Sequence, residues 1–427
     1  RGLGDVYKRQ WFGWRSHIFP SGPSRQLLDE VFGDLPALMT EINGHSIWAN
    51  GAALAVAGVD RDTPDPDPGF SVFVRDAAGE PTGWAVEEGA AQILRSRLAP
   101  RGSETARRLY EAAQDGYAAA GLPGHYDAGV FTFDERDAWR MLCEMDRAGS
   151  LKLRVTASKV SFLDPEDAVA VLERARSEHQ SPKVRVTTLK MFVDGVTEAH
   201  TSAYLDPYHD LPESDGPLAT PVDDLFRWTR DADAAGLTCH FHALGDRAIR
   251  VALDAVEAAR AANGDSGIVH AICHAHLVHS DDLPRFRDLG VVLQTSGQWI
   301  AMDPFHDVML SRLGERALHQ YPLRSAVDMG VVVTLGTDYP ASAYVSTFRP
   351  LVQIESAVTR RLAGDTTSDP LPPLEEALTV PEAIRALTAA SAYQLGMGDV
   401  TGTLRPGMAA DLVVLCLLYT SPSPRDC

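Results

Sequence analysis

Thr188-Leu189-Lys190-Met191-Phe192-Val193-Asp194-Gly195, His240-Phe241-His242-Ala243-Leu244-Gly245-Asp246-Arg247, Ile272-Cys273-His274-Ala275-His276-Leu277-Val278 and Leu335-Gly336-Thr337-Asp338-Tyr339-Pro340 share one grammar. Each is a short apolar run that ends in a residue able to bind a metal, with turn residues after it. His242 and His274 stand 32 positions apart, and His274 and Asp338 stand 64 apart, twice that interval. A (β/α)8 TIM barrel spends about 250 residues on eight units, roughly 30 per unit. Groups at these intervals fall at the C-terminal ends of strands n, n+1 and n+3, facing one mouth. The spacing predicts a barrel with a metal site at that mouth.

Bulk composition agrees with a soluble enzyme. A chain of 427 residues with 45% hydrophobic content can bury a large core, and the length suits a barrel with insertions. A formal charge of −19 argues against nucleic acid or an anionic membrane face as a partner. Cys143, Cys239, Cys273, Cys416 and Cys427 form no CxxC pair and no disulfide framework, which suits a reducing cytoplasm. No apolar run is long enough to span a bilayer.

Taken in order, residues 1–10 and 416–427 do not fit their surroundings and read as a non-native leader and tail. Residues 11–100 do not repeat as βα units and read as an insertion packed over the barrel mouth. Within it, Phe70–Arg75 reads as a strand and Trp84–Leu98 as helical. Residues 101–395 form the barrel core. Its strands are expected at 124–130, 151–160, 184–193, 237–243, 268–277, 291–297 and 331–337, with amphipathic helices between them. Seven strands are counted; the eighth, the first of a complete barrel, is read as missing. Helices are expected at 348–363 and 381–393, and residues 396–415 then end in a strand, Asp411–Leu415, outside the barrel.

The candidate chemistry lies at the strand ends. His242 and His274 each close a strand of alternating apolar residues, so the pleat can aim both into the mouth. A lone strand-end histidine is more often a satisfied core or surface residue; two at a barrel period, with Asp338 on a later strand, reverse that weighting. Asp338 can cap the next helix, or bind metal and take a proton from metal-bound water. His240 is expected deeper in the barrel and His276 beyond the strand end, where it can meet substrate. Lys190 on a buried strand needs a reason, because an unpaired buried ammonium is costly. An ion pair with Asp194 or Glu198 is one, slightly favoured on spacing; carboxylation to a metal-bridging carbamate is the other. Asp246 reads as an N-cap.

At this point the residues resemble the amidohydrolase superfamily, and within it the family 3 group that includes N-substituted formamide deformylases. Asn43-Gly44-His45-Ser46-Ile47-Trp48-Ala49-Asn50, Lys190–Gly195, His242–Ala248 and His274–Val278 carry the likeness. Gly402–Leu415 is similar to the segment where that family returns to a small β-sandwich, so a remnant of one is expected at 396–415. The resemblance implies a metal-dependent hydrolase of non-peptide C–N bonds in amides or formamides. It implies Lys190, His242, His274 and Asp338 as ligands of one or two divalent ions, zinc foremost with iron or manganese as alternatives, and moves the balance for Lys190 toward the carbamate. It implies Asp338 as the catalytic proton acceptor, and His45 and His276 as candidate substrate contacts. Trp48 and Trp84 would suit an apolar group of the substrate.

The sequence departs from that family in three places. The first-strand His-x-His has no counterpart, since the only such pairs, 240/242 and 274/276, belong to later strands. Cys273 stands where Glu is usual, and His276 where Gln is common. The expected partners are a small-molecule amide and, in an oligomer, further copies of the chain. The rival readings are a non-catalytic binding or regulatory protein on the same scaffold, and an esterase or phosphoesterase.

Overall fold

The computed structural model describes residues 9–19, 22–98, 102–131, 133–162, 167–303, 305–341 and 347–415. The expected leader therefore lies largely, and the expected tail wholly, outside the described residues. Two sheets organise the chain. The first contains β1 (Arg9–Trp14), β2 (Ala37–Glu41), β3 (Ser46–Ala49), β4 (Val72–Arg75) and β5 (Pro81–Val86), in the order β1-β2-β3-β5-β4. Its β1–β2 pair is parallel and the others are antiparallel.

Asn50 knits this sheet together. Its Oδ1 accepts from the Ala53 and Ala37 amides, and its Nδ2 donates to the Gly33 and Leu35 carbonyls. It thereby caps the helix Gly51–Ala57, which stops at Gly58 in the left-handed region. Trp84, Ala85 and Val86 belong to β5 rather than to the expected helix. Pairing with β3, Trp48 opposite Trp84 and Ile47 opposite Ala85, holds them extended, and the helix begins at Glu87.

The second sheet is entirely parallel. It runs in chain order through β6 (Gly124–Asp127), β7 (Arg154–Val160), β8 (Val184–Phe192), β9 (Thr238–Ala243), β10 (Ala271–His274), β11 (Val292–Ser296) and β12 (Val333–Gly336). All seven expected strands are present, each within the predicted span. Helices such as Glu135–Arg147, Ala168–Glu178 and Asp246–Asn263 cover the sheet's outer face through an apolar cluster that includes Leu172, Met191, Phe241 and Leu293. Among the described residues β6 and β12 are not paired, so the curled sheet is an open half-barrel of the TIM type. Register fixes what faces the mouth: Lys190 lies level with His240, and His242 level with Phe192 and Cys273.

Three further expectations need correction. Asp246 is the first residue of its helix, Gly245 being the cap; its Oδ1 accepts from the Leu205 and Arg247 amides. The expected helix over 381–393 is two, Val380–Leu387 and Ala389–Gln394, divided at Thr388 with φ −119° and ψ −90°. Residues 411–415 are not a strand: they have no strand partner among the described residues. Asp411 instead binds Arg154 and the Thr401 hydroxyl.

Candidate active site

β8, β9 and β10 deliver the central groups. The His242 and His274 rings meet edge to face with centroids 4.4 Å apart. Each is backed by an aromatic plane: Phe192 stacks on His242 at 4.8 Å, and Trp299 on His274 at 5.1 Å. Burial first, then neighbouring basic groups including Lys190, push both imidazoles well below the usual histidine range, so both are neutral lone-pair donors. His274 and Ala275 hold left-handed φ values of 75° and 45°, and Asp338 one of 49°. Such conformations in non-glycine residues cost about 1–3 kcal/mol each and gather at functional sites.

Asp338 follows β12 on the same rim. Burial pushes its carboxyl up to about 7, against the opposing pull of Lys190 and His45. Lys190 is not in the expected ion pair. Its Nζ lies 3.2 Å from His240 Nδ1 and 3.2 Å from Cys273 Sγ. The carboxylates proposed for it are engaged elsewhere: Asp194 accepts from the amides of Ala203, Leu244 and Gly245, and Glu198 from Asn43 Nδ2. Asp194 also stands 3.5 Å from His242 Nδ1.

The N-terminal sheet reaches over this rim through His45, whose ring centroid is 5.2 Å from that of His242. Burial lowers the His45 imidazole, but Glu87 at 2.7 Å, helped by Glu88 and Glu198, outweighs that and raises it to about 9. Glu87 is buried, has φ 63°, and also accepts from the Thr201 hydroxyl in the loop after β8. Sequence reasoning did not single out Glu87, because an acid opening a helix reads as an ordinary first-turn residue. His276 packs against Trp299 and Tyr321, and its two buried ring nitrogens have no partner among the described residues. Trp48 and Trp84 are not at the mouth: they pack with Trp14 and Leu28 inside the N-terminal sheet region. Phe192 and Trp299 are the aromatic walls instead.

Two neutral imidazoles converge, and His242 Nδ1 is buried with no hydrogen-bond partner among the described residues. No three His, Cys, Asp or Glu side chains close around one point among the described residues. His242 and His274 with Lys190 beside them thus fit half a metal centre, and Asp338 stands on the rim outside it.

The sequence profile of the amidohydrolase family matches residues 7–423. The chain belongs to that family. This amidohydrolase is 31% identical to the N-substituted formamide deformylase of Arthrobacter pascens over 426 residues, 96% of this chain and 73% of that protein. It is 28% identical to YtcJ of Bacillus subtilis over 415 residues, 96% of this chain and 75% of the relative. Its structure aligns with an uncharacterized metal-dependent hydrolase from Pyrococcus horikoshii at a TM-score of 0.69 and 25% identity, covering 96% and 76% of the two chains. Membership and neighbours together support a metal-dependent hydrolase and do not favour the non-catalytic rival. No helix among the described residues of this amidohydrolase is long and apolar enough to cross a membrane.

Proposed function

We propose that this amidohydrolase cleaves the C–N bond of small non-peptide amides, formamides foremost. The observation that carries the reading is the converging, neutral His242–His274 pair, with an Asp338 carboxyl that burial raises to about 7 farther along the same rim. The likeness to a formamide deformylase points the same way for substrate class. A divalent ion, zinc by preference for imidazole donors, would be held by His242, His274 and a carboxylated Lys190, and would polarise the carbonyl and acidify a water.

The remaining work falls to the chain itself. A carboxyl that titrates near neutral pH can accept a proton from the attacking water and return it to the departing nitrogen. The water oxygen bonds to the carbonyl carbon, the C–N bond breaks as the relayed proton reaches nitrogen, and a neutral amine and a carboxylic acid, formic acid from a formamide, leave. Phe192 and Trp299 offer flat apolar walls to the substituent on nitrogen. His45, and His276 if its ring turns from Trp299 and Tyr321, would serve as contacts for the carbonyl or the amine.

The test is a side-by-side assay of an N-substituted formamide, a carboxylic ester and a phosphoester with protein loaded with zinc, manganese or iron. Metal-dependent formamide turnover that falls about 100-fold or more in Asp338→Asn is expected. Preferential ester or phosphoester turnover, or formamide turnover indifferent to Asp338→Asn, would overturn the reading.

A further inference from the structure

What holds Lys190 in place of a carboxylate runs the depth of the barrel. Its Nζ is 3.2 Å from His240 Nδ1, and His240 Nε2 is 2.9 Å from Gln294 Oε1 on β11. The same Gln294 oxygen accepts from Gln394 Nε2 at 2.6 Å, and Gln394 Oε1 accepts from the Thr334 hydroxyl of β12 at 2.6 Å. Gln394, the last residue of its helix, also lines a cavity beside Thr156, Thr188 and Thr238 at the opposite end of the strands. Lys190, His240, Thr334 and Gln394 are all buried.

The polarity of this chain is fixed from its outer end: a lysine nitrogen donates to His240 Nδ1 as an ammonium or a carbamate but can accept from it as a neutral amine, whereas the Gln294 oxygen can only accept. A neutral imidazole then carries its proton on Nε2, and the atom facing it on Gln294 is oxygen. Gln394 presents its NH2 to that oxygen, which leaves its own oxygen for Thr334. Turning either amide over sets two donors or two acceptors face to face. We propose that Gln294, held by Gln394, is a positioning residue: it fixes His240 as the Nε2–H tautomer and so seats the Lys190 nitrogen at the mouth.

Long-range proton–nitrogen spectra of protein labelled with 15N-histidine read that tautomer directly, with His240→Asn identifying the signal. Wild type is expected as Nε2–H, Gln294→Leu as a mixture of both tautomers, and Gln294→Glu, which keeps an acceptor at the same reach, as Nε2–H again. The kinetic consequence rests on the amide-hydrolysis reading. Gln294→Leu should lower kcat by about 10- to 100-fold with KM little changed, and Gln294→Glu should restore most of it. A wild-type His240 protonated on Nδ1 overturns the proposal and needs no variant to fold. So does a folded Gln294→Leu whose His240 tautomer is unchanged. Should every amide prove inert, the amide reading fails and the tautomer spectra still decide this one.

Discussion

Asp194 shows how a single buried side chain can set a mouth's geometry. Among the described residues no Lys or Arg pairs with it; it accepts from three backbone amides, those of Ala203, Leu244 and Gly245. It thereby ties the loop after β8 to the turn after β9, beside His242. Leaving a buried donor unsatisfied costs about 1–3 kcal/mol, so Asp194→Ala should lose at least about 3 kcal/mol. Urea unfolding checks this: the midpoint should fall with the m-value unchanged. At the same scale, elemental analysis should find bound metal depleted in His274→Ala and retained in His276→Ala. Equal retention in both would remove His274 from the ligand set. The histidine pair was legible because barrel strands recur at a near-fixed interval. The partners of Lys190 were not, since they are neutral groups 50 and 83 positions away and nothing local marks them.

Among the elements, the seam between the N-terminal sheet and the barrel carries the largest departures from expectation. Asn43 meets Glu198 there, and Glu87 joins His45 to Thr201. Gly195 sits against that seam with no room for a methyl group: a Cβ would overlap both Glu87 Oε1 and Thr201 Oγ1. Gly195→Ala should therefore speed hydrogen exchange across 43–49 while leaving β7 to β11 protected. The seam should also respond to pH. Burial, reinforced by Glu41, raises the Glu198 carboxyl to about 7 against the Asn43 hydrogen bond. Its unfolded value is about 4.3, so the folded state binds this proton more tightly. That stability is fully present below about pH 4 and is lost as pH rises through about 7. His45, raised to about 9, acts in the same sense above pH 6.5. Buried histidines pushed below their usual range, His242 and His274 among them, act in the opposite sense below pH 6.5, so the readout is a difference: the Tm of wild type should fall relative to that of Glu198→Gln between pH 5 and 8. A constant gap between the two would mean that Glu198 is solvated when ionised. Periodicity read the barrel strands and helices because each pairs or packs with its chain neighbour. It missed β5 and the absence of a strand at 411–415, because strand pairing across the sheet decides both.

For the whole molecule, the question is how far a bound ion reaches across an open sheet. His242 and His274 stand on β9 and β10, and Lys190 on β8, all central strands. Asp338 follows β12, at one edge, while β6 forms the other. The strand count was legible from the sequence; which edges meet was not, because closure depends on contacts no local pattern encodes. An ion at about 100 times its dissociation constant should stabilise the fold by about 2.7 kcal/mol, and His242→Ala or His274→Ala should abolish the gain. Hydrogen exchange measured with and without zinc then maps the reach. Slower exchange in β8, β9 and β10 is expected from the imidazoles and Lys190 alone. A further gain in β12 with none in β6 is expected if the Asp338 carboxylate joins the ion, and Asp338→Asn should remove that gain selectively. Protection confined to β8–β10 in both proteins would leave Asp338 as a proton acceptor that never binds the metal.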